Sequence, residues 1–205
     1  MPPWSAWADQ QRSPRLGRGI NCFGMRLFVA VPMPTEIWER LAGLSARLKK
    51  TIEGMRWSAP ESWHITLQFL GNASPEQLEA LQAQLCPVQL PAFSVQLGGL
   101  GFFDRAGALI VEVSLSRELA SLQEDVTAAT AHCGFRAEER PYHPHITLAR
   151  MQNAQWSLVR HGVDAARCET PRLPGFVARE FCIYESFPGR ESAQYEIRAR
   201  FPLGL

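Results

Sequence analysis

The tetrapeptide His-Ile-Thr-Leu occurs twice in this chain, at His64–Leu67 and at His145–Leu148, and each copy closes a similar run of residues. Arg26–Val31 is rich in β-branched and aromatic residues and stops at Pro32, which predicts a strand. Behind it Thr35 reads as an N-cap, and Ile37, Leu41, Leu44 and Leu48 recur at helical spacing to about Lys50. Trp63–Leu70 then alternates and stops at Gly71, a second strand. The later half repeats that order. Ala108–Ser114 predicts a strand, Ser116 caps a helix carrying Leu119, Leu122, Val126 and Ala129, Gly134 stops it, and Pro144–Arg150 predicts another strand. Val29 precedes His64 by 35 residues and Val111 precedes His145 by 34. Two units of strand, helix and His-bearing strand at nearly equal offsets point to a duplication, which constrains the chain to two similar halves.

Strand parity gives the repeat a chemical meaning. Alternate side chains lie on opposite faces. His64 and Thr66 therefore share one face, and Ile65, Leu67 and Phe69 the other. His145 and Thr147 likewise oppose Ile146 and Leu148. Each strand buries an apolar set and offers an imidazole beside a hydroxyl. Two such strands about a pseudo-twofold axis would line one cleft. That set suits displacement at phosphorus, where attacking and leaving oxygens lie on opposite sides. One imidazole can take a proton and the other give one, since the ordinary imidazole pKa is ~6.5. Thr66 and Thr147 can hydrogen-bond the nonbridging oxygens. Arg150 can reach the same phosphate only if a bulge or strand end redirects it, because a regular strand points it to the apolar side. One H-x-T in a strand is ordinarily incidental, because Thr favours strands and His tolerates half-burial. Two identical copies at matching places in two similar units are not.

The remaining chain predicts a helix over Pro75–Cys86 and strands over Phe93–Leu97, Glu180–Tyr184 and Tyr195–Phe201. Gly98, Gly99 and Gly101 read as a turn, and Gln152–Pro174 as irregular. Strands outnumber helices, so the expected class is α+β with antiparallel sheets. The net charge of +1 lacks the basic excess of proteins that wrap long nucleic acid, so an anionic substrate must be met by a local cluster. The five cysteines form no C-x-x-C pair, which leaves zinc ribbons and thioredoxin-like redox motifs unsupported. They read as free thiols in a reducing cytosol. No apolar run is long enough to span a bilayer. His143 stands near His145, but Pro144 separates them and no third ligand lies at a recognised spacing, so no metal is expected. His132 is placed at a helix C-terminus and His161 at the surface. Trp57, Trp63 and Tyr142 flank the motifs. Trp63 reads as core, while Tyr142 could equally take a stacked base. Arg136 and Arg140 read as solvated surface. Met1–Gly24 contains Pro2, Pro3 and Pro14 and no apolar segment, and reads as a disordered extension or a start assigned upstream of Met25.

The segments RLFVAVPMP, WHITLQFLG, RPYHPHITLAR and FCIYES resemble the two-histidine phosphoesterase superfamily, and within it the LigT-like RNA 2′,3′-cyclic phosphodiesterases. The resemblance runs from about Met25 to the C-terminus. It implies two lobes, each an antiparallel sheet with outer helices, around a central cleft. It implies His64 as proton donor, His145 as proton acceptor, Thr66 and Thr147 as phosphate ligands, a 2′-phosphate product and no cofactor. The expected substrates are RNA ends or nucleotides bearing a 2′,3′-cyclic phosphate, met by a cytoplasmic monomer with no obligate protein partner. Ligation of 2′–5′ RNA, cleavage of 2′–5′ linkages and a noncatalytic RNA-end module stay open as alternatives.

Overall fold

The computed structural model describes residues 24–152, 156–169, 173–189 and 193–204, and the expectation for the leader therefore lies outside the described residues except at Gly24. Strand β1 (Met25–Pro32) leads into helix α1 (Thr35–Leu48), whose Ile37, Leu41, Leu44 and Leu48 are buried. Pro34, and not Thr35, is the N-cap residue of this helix. A short strand β2 (Met55–Trp57) and a 3-10 turn (Pro60–Ser62) precede β3 (His64–Ala73). Helix α2 (Pro75–Leu85) starts in a capping box, in which Ser74 Oγ accepts from the Gln77 amide and the Gln77 side chain accepts from the Ser74 amide. Strands β4 (Phe93–Val95), β5 (Leu97–Phe103) and β6 (Ala108–Val113) follow. Helix α3 (Arg117–Ala131) is capped by Ser116, as expected, and Gly134 beyond its end takes φ +86°, where a side chain would be strained. Then come β7 (His145–Met151), α4 (Trp156–Glu169), β8 (Phe176–Ala178), β9 (Glu180–Phe187) and β10 (Gln194–Pro202).

The strands form two four-stranded antiparallel sheets, β10-β9-β1-β3 and β2-β7-β6-β5, and a small ribbon of β4 and β8. The expected α+β class and the two antiparallel sheets with helices are therefore present. The duplication is visible in the registers. Ala30 pairs with Thr66 and Ile110 pairs with Thr147. Val31 and Val111, not Val29 and Val111, occupy matching places, opposite Ile65 and Ile146. One large core of aliphatic and aromatic side chains joins both sheets, including Val29, Leu41, Ile65, Leu109, Leu122, Ile146 and Ile183.

Two expectations need correction. Gly98, Gly99 and Gly101 lie within β5 and form no turn. A Cβ at Gly98 would stand 3.1 Å from the Glu112 Cβ, and one at Gly101 would stand 3.0 Å from Ile110 Cγ1, so the glycines let the irregular β5 ladder approach β6 closely. The segment read as irregular contains α4. Its Val159, Val163 and Ala166 are buried at helical spacing. Gly162 interrupts that pattern because a Cβ there would lie 3.2 Å from Ile52 Cγ1. His161 is exposed on α4, and His132 is the C-cap residue of α3.

Candidate active site

The two H-x-T strands behave alike up to the threonine and then depart from simple alternation in the same way. On β3 the partners jump from Thr66 to Gln68, so Leu67 has no partner on β1. On β7 they jump from Thr147 to Ala149, so Leu148 has no partner on β6. Each bulge turns two successive side chains inward: Leu67 and Gln68 in one strand, Leu148 and Ala149 in the other. The residue after each pair is thereby returned to the histidine face. This corrects the placement of Phe69, which regular parity assigned to the apolar side. Phe69 is 45% exposed and lines the cleft with the histidines. The matching residue of the second copy is Arg150, and the same device brings it into the cleft.

One cavity is lined by Ser58, Ser62, His64, Thr66, Phe69, His145, Thr147, Arg150 and Tyr195. It unites the histidine pair, both threonines and Arg150, all half-buried. The imidazoles are held alike. His64 Nδ1 lies 2.7 Å from the Ser62 carbonyl and His145 Nδ1 lies 2.7 Å from the His143 carbonyl. A carbonyl can only accept, so Nδ1 carries the proton in each ring and Nε2 is the nitrogen that bears the lone pair. The carbonyl near His64 is itself braced, since Ser62 Oγ donates to Ala59 O at 2.6 Å and Trp38 Nε1 donates to Pro60 O. His64 packs on Phe28 at a centroid distance of 4.6 Å and meets Tyr195 edge-on at 5.2 Å. Phe28 stacks on Tyr184, completing an aromatic floor. His145 meets Phe103 edge-on at 4.8 Å.

Burial pulls both imidazoles down to about 4, opposed by their backbone hydrogen bonds and reinforced by positive neighbours, among them Arg150. The Arg150 guanidinium is itself lowered by burial. Both rings are therefore neutral at pH 7.

Tyr142 lies beside the cleft with its hydroxyl engaged. Its hydroxyl donates to the Thr66 carbonyl at 3.0 Å, tying the segment before β7 to the strand that carries His64. Its ring lines an adjoining pocket with Phe69, Phe103, Pro141, His143 and His145. Trp63 is buried core, and Lys49 Nζ stands 5.9 Å over the ring of Trp57. Arg140 bonds Glu138 through Nε and Nη2. The sequence reading missed Phe69, Ser58, Ser62 and Tyr195. Only the bulge could have exposed Phe69, and only the sheet order brings Tyr195 from the far end of the chain.

Among the described residues, no three His, Cys, Asp or Glu side chains converge as a metal site, and no helix is long and apolar enough to cross a membrane.

A family model described as the 2′-5′ RNA ligase superfamily matches residues 33–186. A Bacillus subtilis (strain 168) protein named RNA 2′,3′-cyclic phosphodiesterase is 30% identical over 184 residues, covering 86% of this chain and 95% of its own length. An Escherichia coli (strain K12) protein of the same name is 30% identical over 183 residues, with 87% and 96% covered. The crystal structure of E. coli LigT complexed with 3′-AMP superposes with a TM-score of 0.74 at 27% identity, covering 89% of this chain and 99% of that one. With that family's model spanning both H-x-T strands, the chain belongs to the 2′-5′ RNA ligase superfamily.

Proposed function

We propose that this protein is an RNA 2′,3′-cyclic phosphodiesterase that opens the cyclic phosphate to a 2′-phosphate by acid–base catalysis between His145 and His64. The observation that carries the reading is the cleft itself. Two imidazoles, each with Nδ1 tied to a backbone carbonyl, share it with two threonines and an arginine. His145 Nε2 takes a proton from water as the water oxygen bonds to phosphorus. The P–O3′ bond breaks, and His64 Nε2 gives its proton to O3′. Solvent then restores the two protonation states. Thr66, Thr147 and Arg150 hold the nonbridging oxygens, where charge accumulates.

The neutral state of both rings suits the base at once. The acid acquires its proton with the substrate, because an anionic phosphate favours a charged imidazole beside it. Phe69, exposed at the edge of the cleft, offers a face on which a base can stack. With an RNA 5′-hydroxyl in place of water, the same groups would join strands through a 2′–5′ linkage.

The test is product analysis with a nucleoside 2′,3′-cyclic phosphate in the presence of a chelator. The expected product is the 2′-phosphate alone, at an undiminished rate. Release of the 3′-phosphate would reverse the roles of the two ribose oxygens and overturn the mechanism. A parallel incubation with a 5′-hydroxyl oligonucleotide reads out joining.

A further inference from the structure

A row of arginines lies beside the cleft. Arg56 on β2 is the direct cross-strand partner of Arg150 on β7. Directly opposed residues of an antiparallel pair share a face, so Arg56 points to the same side as Arg150. Like charges in that arrangement are destabilising unless an anion joins them. Arg26 on β1 stands two residues before Phe28, whose ring floors the cleft against His64, so strand parity puts Arg26 on the cleft side too. Both Arg26 and Arg56 are exposed. Tyr195 is the meeting point: it lines the catalytic cavity, and its hydroxyl feels the positive charges of Arg150, Arg26 and Arg56.

Elsewhere the described arginines are often neutralised. Arg140 pairs with Glu138, Arg160 with Asp164, Arg167 with Glu112, Arg198 with Glu185 and Arg200 with Glu180. Among the described residues neither Arg26 nor Arg56 joins an ion pair. In a chain with a net charge of only +1, this is a local concentration of positive charge continuous with the catalytic cavity.

We infer that Arg26 and Arg56 form a subsite for the phosphodiester on the 5′ side of the terminal nucleotide. The protein therefore acts on oligoribonucleotide ends in preference to cyclic mononucleotides. The inference rests on the cyclic-phosphate reading of the cleft and adds what that reading leaves open, namely how much of the RNA chain is held. Arginine suits the task because its planar fork matches phosphate oxygens in pairs.

The experiment compares kcat/KM for a trinucleotide ending in a 2′,3′-cyclic phosphate with that for the matching nucleoside 2′,3′-cyclic phosphate. The wild type and the variants Arg26→Gln, Arg56→Gln, Arg56→Lys and the double Gln variant are measured across a salt series. The wild type should favour the trinucleotide by about tenfold or more, and raising salt should erode that preference. The double Gln variant should lose most of the preference through KM and flatten its salt dependence, and Arg56→Lys should keep part of it. A wild-type ratio near one, or a ratio that survives the double substitution, overturns the subsite. If the wild type opens neither substrate, the cyclic-phosphate reading itself fails and the subsite falls with it, a result distinct from loss of the preference alone.

Discussion

At the scale of single residues, the proposed mechanism rests on the two histidines, and the residues around them set its terms. His64→Ala and His145→Ala should each lower kcat by about two to four orders of magnitude, the usual contribution of a positioned acid or base. Single-turnover rates on a cyclic nucleotide measure this, and near wild-type turnover in either variant would remove that ring from the reaction. Tyr142→Phe tests the tie between the two motif strands. It deletes the bond to the Thr66 carbonyl and should cost about 0.5–1.5 kcal/mol in urea unfolding, together with a loss in kcat as Thr66 loosens. Unchanged stability and kcat would make that contact incidental. Phe69→Ala should raise KM more than it lowers kcat, because it removes a stacking face and leaves both Nε2 atoms in place. An effect on kcat alone would give Phe69 a different role.

Among the elements, the two bulges decide most. Alternation holds from His64 to Thr66 and from His145 to Thr147, and it is legible in the sequence because Ile65 and Ile146 must be buried. A bulge inserts one residue against a partner strand, and no local residue pattern announced it at Leu67 or Leu148. Regular alternation therefore leaves Arg150 conditional and puts Phe69 on the wrong face. Helix α4 was hidden for a related reason: Gly162 lowers helix propensity, and its use is a contact with Ile52 from a distant part of the chain. The link between α3 and β3 is equally nonlocal. Thr130 Oγ1 donates to the buried Gln68 Oε1 at 2.7 Å, and Gln68 Nε2 donates to the Arg136 carbonyl at 3.3 Å. Thr130→Val should therefore cost about 1–3 kcal/mol by leaving a buried acceptor unsatisfied, read as a lower urea midpoint at unchanged slope. A loss below a few tenths of a kcal/mol would mean that the acceptor finds another donor.

For the molecule as a whole, the cleft couples function to stability through pH. Burial lowers both cleft imidazoles to about 4 in the folded state, against ~6.5 when unfolded. Between those values the unfolded chain binds more protons than the folded one, so acid favours unfolding. The stabilisation is complete above the unfolded value and is lost as pH falls through about 4. Urea midpoints of the wild type should fall over that window, and the double variant His64→Ala/His145→Ala should show a shallower fall. Equal slopes for the two proteins would place the acid sensitivity elsewhere.

The two halves, their strand–helix–strand order, the burial of Ile65 and Ile146, and the pairing of each histidine with a threonine are all legible along the chain. These are local consequences of hydrophobic period and residue type. The family resemblance added which histidine is read as acid and which as base. How the halves are woven together emerges from long-range packing. Strand β2 lies before β3 in the chain but joins β7 in the other sheet, and helix α3 follows β6 but packs on β3. These crossings bring Arg56 opposite Arg150 and bring Tyr195, from the last strand, beside His64. The physical reason is that backbone pairing and core packing reward contacts between residues far apart in the chain, and a sequence read segment by segment does not contain those distances.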